Sequence, residues 1–224
     1  MSKISNKNKY LAFAILIGGK STRFGSDKGI FEFLRKPLIS YQIGTLSKFK
    51  FDIFLVAHSQ DQAQTYKIKI DTENIKGFIL DDKEIISDRE FRTPMIGMYS
   101  AFKELNNLGY YVAFTLSCDT PLIKYEIVEL MIKKSEVFDC CIPRWNNGYL
   151  EPLFAIYPIK KAFQIAKENL MNESYKLTNL LDSDWKINYI SIENVIQPID
   201  DKLISFININ DPIDLEKLMK IYKQ

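Results

Sequence analysis

The sequence predicts an α/β fold with three layers, in which a mainly parallel sheet lies between helices on both faces. Short runs of bulky apolar residues suit strands that are buried on both faces. They alternate with longer amphipathic stretches, and the connections between them are short. This pattern is typical of a Rossmann-like sandwich. A small β-hairpin is expected in the second half, around the turn Asn146-Asn147-Gly148.

The predicted elements follow one another along the whole chain. Apolar runs bounded by glycine or polar residues predict strands over residues 11–17, 51–57, 75–80, 110–116, 137–142, 150–157 and 187–192. Amphipathic spacing and prolines at first helical positions predict helices over residues 37–49, 94–107, 121–134, 159–170 and 212–222. Thr120 is the expected N-cap of the third of these helices.

Length and composition predict one domain over residues 1–224. Its halves would cover about 10–120 and about 121–224. Hydrophobic residues make up 46% of the chain and charged residues 26%, which is ordinary for a globular protein. The net charge of +2 does not support a basic surface for nucleic acid.

We also expect a cytoplasmic protein with no membrane partner, because no apolar stretch approaches the roughly 18 residues of a membrane span. The three cysteines are an odd number that includes a vicinal pair, which predicts reduced thiols. A zinc site is not expected, since His58 is the only histidine.

The first predicted strand runs into a glycine-rich, basic loop at residues 16–28, LIGGKSTRFGSDK. Gly18 and Gly19 allow the backbone to approach a ligand and to point N–H groups at anionic oxygens. Arg23 and Lys28 add positive charge. The spacing fits neither a Walker A loop nor the G-x-G-x-x-G dinucleotide motif. The loop is therefore predicted to bind phosphate in another way.

Carboxylates follow two other predicted strands. Ligands of open α/β sheets bind beyond the carboxyl ends of the strands, so Asp81 and Asp119 are candidates for ligand contact. Asp119 stands alone at the end of a buried strand, where a carboxylate is well placed to hold Mg²⁺ on a triphosphate.

The loop pattern G-G-x-S-x-R-x-G-x-D-K resembles the signature of the molybdenum cofactor guanylyltransferases, which are nucleotidyltransferases of the sugar-nucleotide type. The resemblance continues through most of the chain. Its further segments are Lys-Pro-Leu at 36–38, Pro94 with Gly97, Cys-Asp-Thr-Pro at 118–121, Glu-Pro-Leu-Phe-Ala at 151–155, and residues 206–212.

This resemblance implies transfer of GMP from GTP to the molybdopterin-bound molybdenum cofactor, with release of pyrophosphate and with Mg²⁺ as the cofactor. It implies nucleotide contacts from Leu16, Ile17, Gly18, Gly19, Lys28, Asp81 and Asp119. The implied catalytic residues are Arg23, Lys28 and Asp119, of which Asp119 binds the metal. The implied acceptor-binding residues are Asn208 and Asn210. The resemblance also implies that the half 10–120 binds the nucleotide and that the half 121–224 binds the acceptor. GTP and the cofactor would be the partners, together with transient contacts to proteins that deliver or receive the cofactor, in a monomer or weak oligomer.

Alternatives remain open at this point. Ile17 and Val56 depart from the family pattern near the base, which leaves a CTP-dependent enzyme acting on the same cofactor, or a sugar- or alditol-phosphate nucleotidyltransferase. A nucleotide-binding protein without turnover is a further alternative. The charged segment 83–93 is interpreted either as a lid or as a surface insertion, and His58, Trp145 and Trp185 as structural residues.

Overall fold

The computed structural model describes residues 9–18, 27–86, 88, 90–210, 213–216 and 219. In chain order the strands are β1 (Leu11–Leu16), β2 (Glu32–Phe33), β3 (Lys36–Pro37), β4 (Asp52–Ala57), β5 (Gly77–Leu80), β6 (Val112–Ser117), β7 (Cys140–Arg144), β8 (Phe154–Pro158) and β9 (Ile187–Ser191). The α-helices are α1 (Leu38–Leu46), α2 (Gln60–Lys69), α3 (Pro94–Asn107), α4 (Tyr125–Ser135) and α5 (Ile159–Met171). Residues 213–216 are also helical.

Seven of these strands form one sheet in the order β5-β4-β1-β6-β8-β7-β9. Strands β5, β4, β1 and β6 are parallel, β8 runs antiparallel to both of its neighbours, and β9 is parallel to β7. The predicted mainly parallel sheet is confirmed. The chain order reverses on the two sides of β1, and such a switch point leaves a crevice at the carboxyl ends of the strands.

Alternate residues of β1 point into two separate cores. Phe13 and Ile15 pack in a core with residues of α1, α2 and α4, whereas Ala12 and Ala14 pack in a core with residues of α3 and α5. The small alanines suit a close approach of α3 to the sheet. The three predicted layers follow from this alternation, with β1 fully buried at the centre.

The predicted helix at 121–134 begins too early. Helix α4 starts at Tyr125, and Thr120 does not cap it, because its hydroxyl donates to the carbonyl of Ser117 at 3.2 Å. The N–H of Lys124 instead donates to Ser205 Oγ at 3.0 Å. Residues 118–124 therefore form a turn that is fixed from both sides.

Helix α2 was not predicted from the sequence. Its segment QDQAQTYKIK buries only Gln62, Ala63 and Tyr66, so it lacks a continuous apolar stripe. Its start is nevertheless marked by Ser59, whose side chain accepts from the N–H of Gln62. The helix is stabilised by tertiary hydrogen bonds of its side chains rather than by burial of a continuous apolar face.

The predicted hairpin is confirmed and is part of the main sheet. Gly148 has φ +88°, which favours glycine, and the N–H of Trp145 donates to the carbonyl of Tyr149 at 2.8 Å. The predicted helix start at Asp211 and Pro212 lies outside the described residues.

The three cysteines are buried and free, as expected. Within the described residues, none of the helices is both long enough and apolar enough to cross a membrane.

Candidate active site

The ends of four parallel strands are held side by side by backbone hydrogen bonds. The N–H of Ile17 donates to the carbonyl of Val56 at 3.0 Å, and the N–H of Cys118 donates to the carbonyl of Leu16 at 3.1 Å. The residues that follow these strands therefore meet at one edge of the sheet. They include Gly18, His58, Asp81 and Asp119.

A cavity of about 540 Å³ opens between these strand ends and the first turn of α3. This volume is within the ordinary range of small-molecule sites. Gly97 is placed where α3 approaches the cavity floor. A Cβ at this position would lie 3.1 Å from Leu16 Cδ2 and 3.6 Å from Asp81 Oδ1. The glycine therefore lets the helix and the two strand ends come together around the cavity.

Asp81 presents a half-buried carboxyl group to this cavity. Burial raises its pKa to about 6, against the opposing effect of the nearby Lys83 and Arg92. The group is therefore mainly ionised at neutral pH, although it is poorly hydrated. A ligand with N–H donors, such as the edge of a nucleobase, would satisfy it.

Lys28, Asp119 and Asn210 come together from three distant parts of the chain. Lys28 Nζ donates to Asn210 Oδ1 at 2.7 Å and lies 4.0 Å from Asp119 Oδ2. The N–H of Ile209 donates to the carbonyl of Asp119 at 2.8 Å, which ties the two segments together. A cation thus already bridges a carboxylate and an amide oxygen at this end of the site.

Gln42 of α1 holds the turn that carries Asp119. Its side chain is fully buried, and its Nε2 donates to the carbonyls of Ser117 at 3.0 Å and Thr120 at 3.1 Å. Sequence reasoning missed this residue. The available signal was a polar side chain on the otherwise apolar face of a helix.

Two side chains of helix α2 form hydrogen bonds to both ends of the glycine-rich loop, and we call these contacts the α2 clamp. Gln62 Nε2 donates to the carbonyl of Ile17 at 2.8 Å and also to Asp27 Oδ2. Tyr66 Oη donates to Asp27 Oδ1 at 2.5 Å, and the N–H of Gly29 donates to the same oxygen at 3.2 Å. Residues 17 and 27 are therefore anchored on one helix. This clamp was not predicted, because α2 itself was not predicted.

His58 belongs to the same network and lines the cavity. Its N–H donates to Gln62 Oε1 at 2.9 Å, and its Nδ1 lies 2.6 Å from the same oxygen. Burial lowers the pKa of His58, although the hydrogen bond to Gln62 acts the other way. The imidazole is thus favoured in its neutral form, with a role in positioning the Gln62 amide.

A second cavity, of about 210 Å³, lies on the other side of Asp119. We call it the acceptor-side cavity, and its lining includes Asp119, Glu151, Phe154, Phe206 and Asn208. Glu151 is half-buried, and Trp145 Nε1 donates to its Oε1 at 2.7 Å. The sequence analysis interpreted Trp145 as structural and included Glu151 only in the segment 151–155, without a role of its own.

The structure therefore brings most of the predicted residues to one edge of the sheet. Leu16, Gly18 and Asp81 line the first cavity, Lys28, Asp119 and Asn210 form the cluster beside it, and Asn208 lines the acceptor-side cavity. The N–H and the carbonyl of Ile17 both bond within the protein, to Val56 and Gln62. The predicted contacts of Gly19 and Arg23 lie outside the described residues.

A switch-point cavity in a parallel sheet, a strand-end carboxylate and a lysine at the end of a glycine-rich loop define a nucleotide-binding α/β protein. Comparison with known proteins identifies the family within this class. Residues 13–184 match the model of the MobA-like NTP transferase domain, and the chain belongs to this family.

Relatives match over nearly their whole length. A protein of Pyrococcus horikoshii named probable molybdenum cofactor guanylyltransferase is 34% identical over 207 residues, which cover 92% of this chain and 97% of that protein. A protein of Natranaerobius thermophilus with the same name is 30% identical over 211 residues, which cover 92% of this chain and 93% of that protein.

Solved structures share the fold. Molybdopterin-guanine dinucleotide biosynthesis protein A from Archaeoglobus fulgidus superposes with a TM-score of 0.73 at 24% identity, covering 95% of this chain and 98% of that one. The 4-diphosphocytidyl-2C-methyl-D-erythritol synthase of Anaerococcus prevotii gives a TM-score of 0.68 at 15% identity, covering 97% of this chain and 100% of that one. At these identities the likeness concerns the fold.

Proposed function

We propose that this protein transfers GMP from GTP to the molybdopterin form of the molybdenum cofactor and releases pyrophosphate. Relatives that match over more than nine tenths of the chain are named molybdenum cofactor guanylyltransferases. The observation that carries the proposal is the cluster of Lys28, Asp119 and Asn210 beside the strand-end cavity. This cluster combines a cation for phosphate with oxygen atoms for a metal ion.

The oxygen atoms of this cluster fit Mg²⁺ bound mainly through its substrate. Asp119 supplies a carboxylate and Asn210 an amide oxygen, and the ammonium of Lys28 bridges them at 4.0 Å and 2.7 Å. Within the described residues there is no group of three or more His, Cys, Asp or Glu side chains that could hold a metal ion. One protein carboxylate with phosphate oxygens and water is the usual way in which Mg²⁺ is held on a triphosphate. When bound, the metal ion would neutralise phosphate charge.

The reaction needs positioning and charge neutralisation more than proton transfer. The attacking phosphate of the acceptor is already ionised at neutral pH, so no general base is required. Lys28 and the loop residue Arg23 would neutralise the triphosphate, and Asp119 would hold the metal against it. The anchoring of Asp27 and Ile17 on α2 would keep the loop in place for this task.

The nucleobase would occupy the cavity beside Gly18, Asp81 and Gly97. Guanine carries adjacent N–H donors on one edge, and the Asp81 carboxylate is a half-buried acceptor in the cavity wall. This pairing supports GTP over CTP. Val56 also lines this cavity, but its side chain is almost fully buried among residues that pack against α3.

The test is pyrophosphate release from GTP, CTP, ATP and UTP with Mg²⁺, in the presence and absence of the molybdopterin cofactor. We expect release only with GTP and the cofactor together. Turnover with CTP instead would replace the guanylyl assignment by a cytidylyl one. Binding of GTP without any turnover would favour a non-catalytic nucleotide-binding protein.

The variant Asp119→Asn tests the cluster within the same assay. Loss of a group that stabilises charge in the transition state lowers kcat by about 10²–10³-fold, and we expect a loss of that size. Asp184→Asn is the matched control, because Asp184 is exposed and lines neither of the two cavities. Near wild-type turnover by Asp119→Asn would remove Asp119 from the mechanism.

A further inference from the structure

The acceptor-side cavity has an apolar, partly aromatic wall beside two carboxylates, those of Asp119 and Glu151. The rings of Phe154 and Phe206 lie 4.9 Å apart at an interplanar angle of 43°, and Trp145 meets Phe206 edge to face at 6.0 Å. Leu153 and Leu177 complete the apolar lining. A cavity of about 210 Å³ with such walls suits one flat ring system rather than a chain or a sugar.

Glu151 is held rigidly in this wall. Its backbone N–H donates to the carbonyl of Pro143 at 3.1 Å, and its carbonyl accepts from the N–H of Phe154 at 3.0 Å. Trp145 Nε1 orients the carboxylate through Oε1 at 2.7 Å. Among the described residues, none donates a hydrogen bond to Oε2 of Glu151. The side chain therefore presents an oriented acceptor oxygen to the cavity.

The electrostatic surroundings make this carboxylate unusual. Burial raises the pKa of Glu151, and the neighbouring charge of Asp119 adds to the rise, whereas the hydrogen bond from Trp145 opposes it. Among the residues that the structure describes, no lysine or arginine lines the cavity. A carboxylate in such a place is stabilised by N–H donors of a ligand, which would replace the water that burial has removed.

We propose that Glu151 is a specificity-determining residue that recognises the acceptor by its pterin ring. A pterin carries an amino group and a ring N–H side by side, and a carboxylate accepts from such a pair. Phe154 and Phe206 contact the ring, and Trp145 positions the carboxylate. This inference rests on the proposed function, because it assumes an acceptor that contains a pterin.

The primary test compares Glu151→Gln with wild type in guanylyl transfer. Replacing the carboxyl group by an amide of the same size removes an acceptor oxygen for the paired N–H donors of the ring, and we expect the KM for the cofactor to rise about tenfold or more. The Kd for GTP with Mg²⁺ and the kcat at saturating cofactor stay within about twofold of wild type. Trp145→Phe should raise the same KM by a smaller factor, because the aromatic wall remains.

The matched control is Glu193→Gln. Glu193 accepts from the N–H of Asn146 at 2.9 Å, so it supports the same turn that carries Trp145, but it does not line the cavity. The KM of the Glu193→Gln variant for the cofactor should equal that of wild type. A rise of similar size in Glu193→Gln would assign the effect to the turn and would overturn a specific role for Glu151.

A binding measurement tests the chemistry without turnover. Pterin and lumazine share the ring, but lumazine has an oxo group in place of the amino group. Wild type should bind pterin more tightly than lumazine, as measured by quenching of ligand fluorescence, and Glu151→Gln should lose this preference. Equal preference in both proteins would overturn the proposal.

Three further outcomes separate this inference from its alternatives. A lower kcat and an altered Mg²⁺ dependence in Glu151→Gln, with the KM for the cofactor unchanged, would make Glu151 a metal-site residue and would overturn pterin recognition. Absence of guanylyl transfer by wild type would instead contradict the proposed function itself. Wild-type transfer together with a wild-type KM in Glu151→Gln would contradict only this inference.

Discussion

At the scale of single residues, the site depends on carboxylates in three different environments. Asp81 is half-buried with a pKa of about 6, Asp119 lies beside a lysine, and Glu151 is hydrogen-bonded to an indole. The same functional group can therefore contact a base, a metal ion or a pterin. The surroundings decide which of these contacts is favourable.

The environment of Asp81 predicts a pH dependence of nucleotide binding. Protonation below about pH 6 removes the acceptor for a base, so the Kd of wild type for GTP with Mg²⁺ should rise as the pH falls from 7 to 5. Asp81→Asn should bind about tenfold more weakly at pH 7, since a hydrogen bond to a charged group is lost.

Titration calorimetry across this pH range checks the prediction. The phosphates of GTP titrate equally in both proteins, so the difference between them reports on Asp81. A parallel pH dependence in wild type and Asp81→Asn would exclude a base contact by this residue. The effect of Asp81 on folding stability has the opposite sign. Folding raises the pKa of Asp81, so the protein loses stability as the pH rises from about 4 to 6 and the carboxyl group ionises.

At the scale of elements, α2 connects the loop to the sheet. Its clamp leaves almost no space at Gly29, where a Cβ would lie 2.2 Å from Tyr66 Oη. We expect Gly29→Ala to lower the free energy of unfolding by about 1–3 kcal/mol through overpacking. Urea denaturation measures the change.

Gly44→Ala is the matched control for this substitution. Gly44 lies within α1, and nothing lies within 4 Å of a Cβ placed there, so alanine should stabilise by about 0.4–1 kcal/mol. Adding Tyr66→Phe to Gly29→Ala should recover part of the loss, because the Oη is removed. Equal stability of the two glycine variants would contradict a tight clamp.

At the scale of the whole molecule, an ion pair with a buried carboxylate joins the segment before α4 to the segment near residue 200. Asp200 is fully buried, lies 3.0 Å from Lys124 Nζ, and accepts from the N–H of Ser205 at 2.8 Å. These contacts hold the segment that continues to Phe206 and Asn208. Burial acts to raise the pKa of Asp200, but the hydrogen bonds from Ser205 and Lys124 outweigh it and lower the pKa.

Removal of this charge should destabilise the whole fold. Breaking a buried pair costs about 3–5 kcal/mol, and we expect a loss of this order for Asp200→Asn at pH 7. Folding lowers the pKa of Asp200, so its carboxylate stabilises the folded state at a pH above the pKa that Asp200 has in the unfolded chain. This contribution to the free energy of unfolding is lost as the pH falls below about 4. The variant should therefore lose less stability than wild type in that acid range.

Asp139→Asn provides the comparison for a surface pair. Asp139 lies 2.7 Å from Lys161, but both side chains are partly exposed, so the loss should be at most about 1 kcal/mol. Chemical denaturation between pH 3 and 7 measures both variants. Equal losses of unfolding free energy in the two variants would show that burial does not make the Asp200 pair more stabilising than a surface pair.

Much of this organisation could be predicted from the sequence, because its signals are local. The proline at the start of α3 and its amphipathic spacing were sufficient for its bounds, and apolar runs were sufficient for β1, β4 and β6. Gln42, Gln62 and Glu151 could not be found in this way. Gln42 and Gln62 act through partners far along the chain, and Glu151 lines a cavity that is formed by several distant segments. Polar side chains carry no periodic signal that identifies such neighbours.

The sequence by itself determined the α/β class and the family, because hydrophobic alternation and the long loop motif are properties of contiguous residues. Only the tertiary structure decided that Lys28, Asp119 and Asn210 meet, that α2 clamps the loop, and that Glu151 faces a cavity beside Asp119. The physical reason is that strand order and packing set the distances between residues far apart in sequence. Those distances decide which charges and hydrogen-bond donors act on one another.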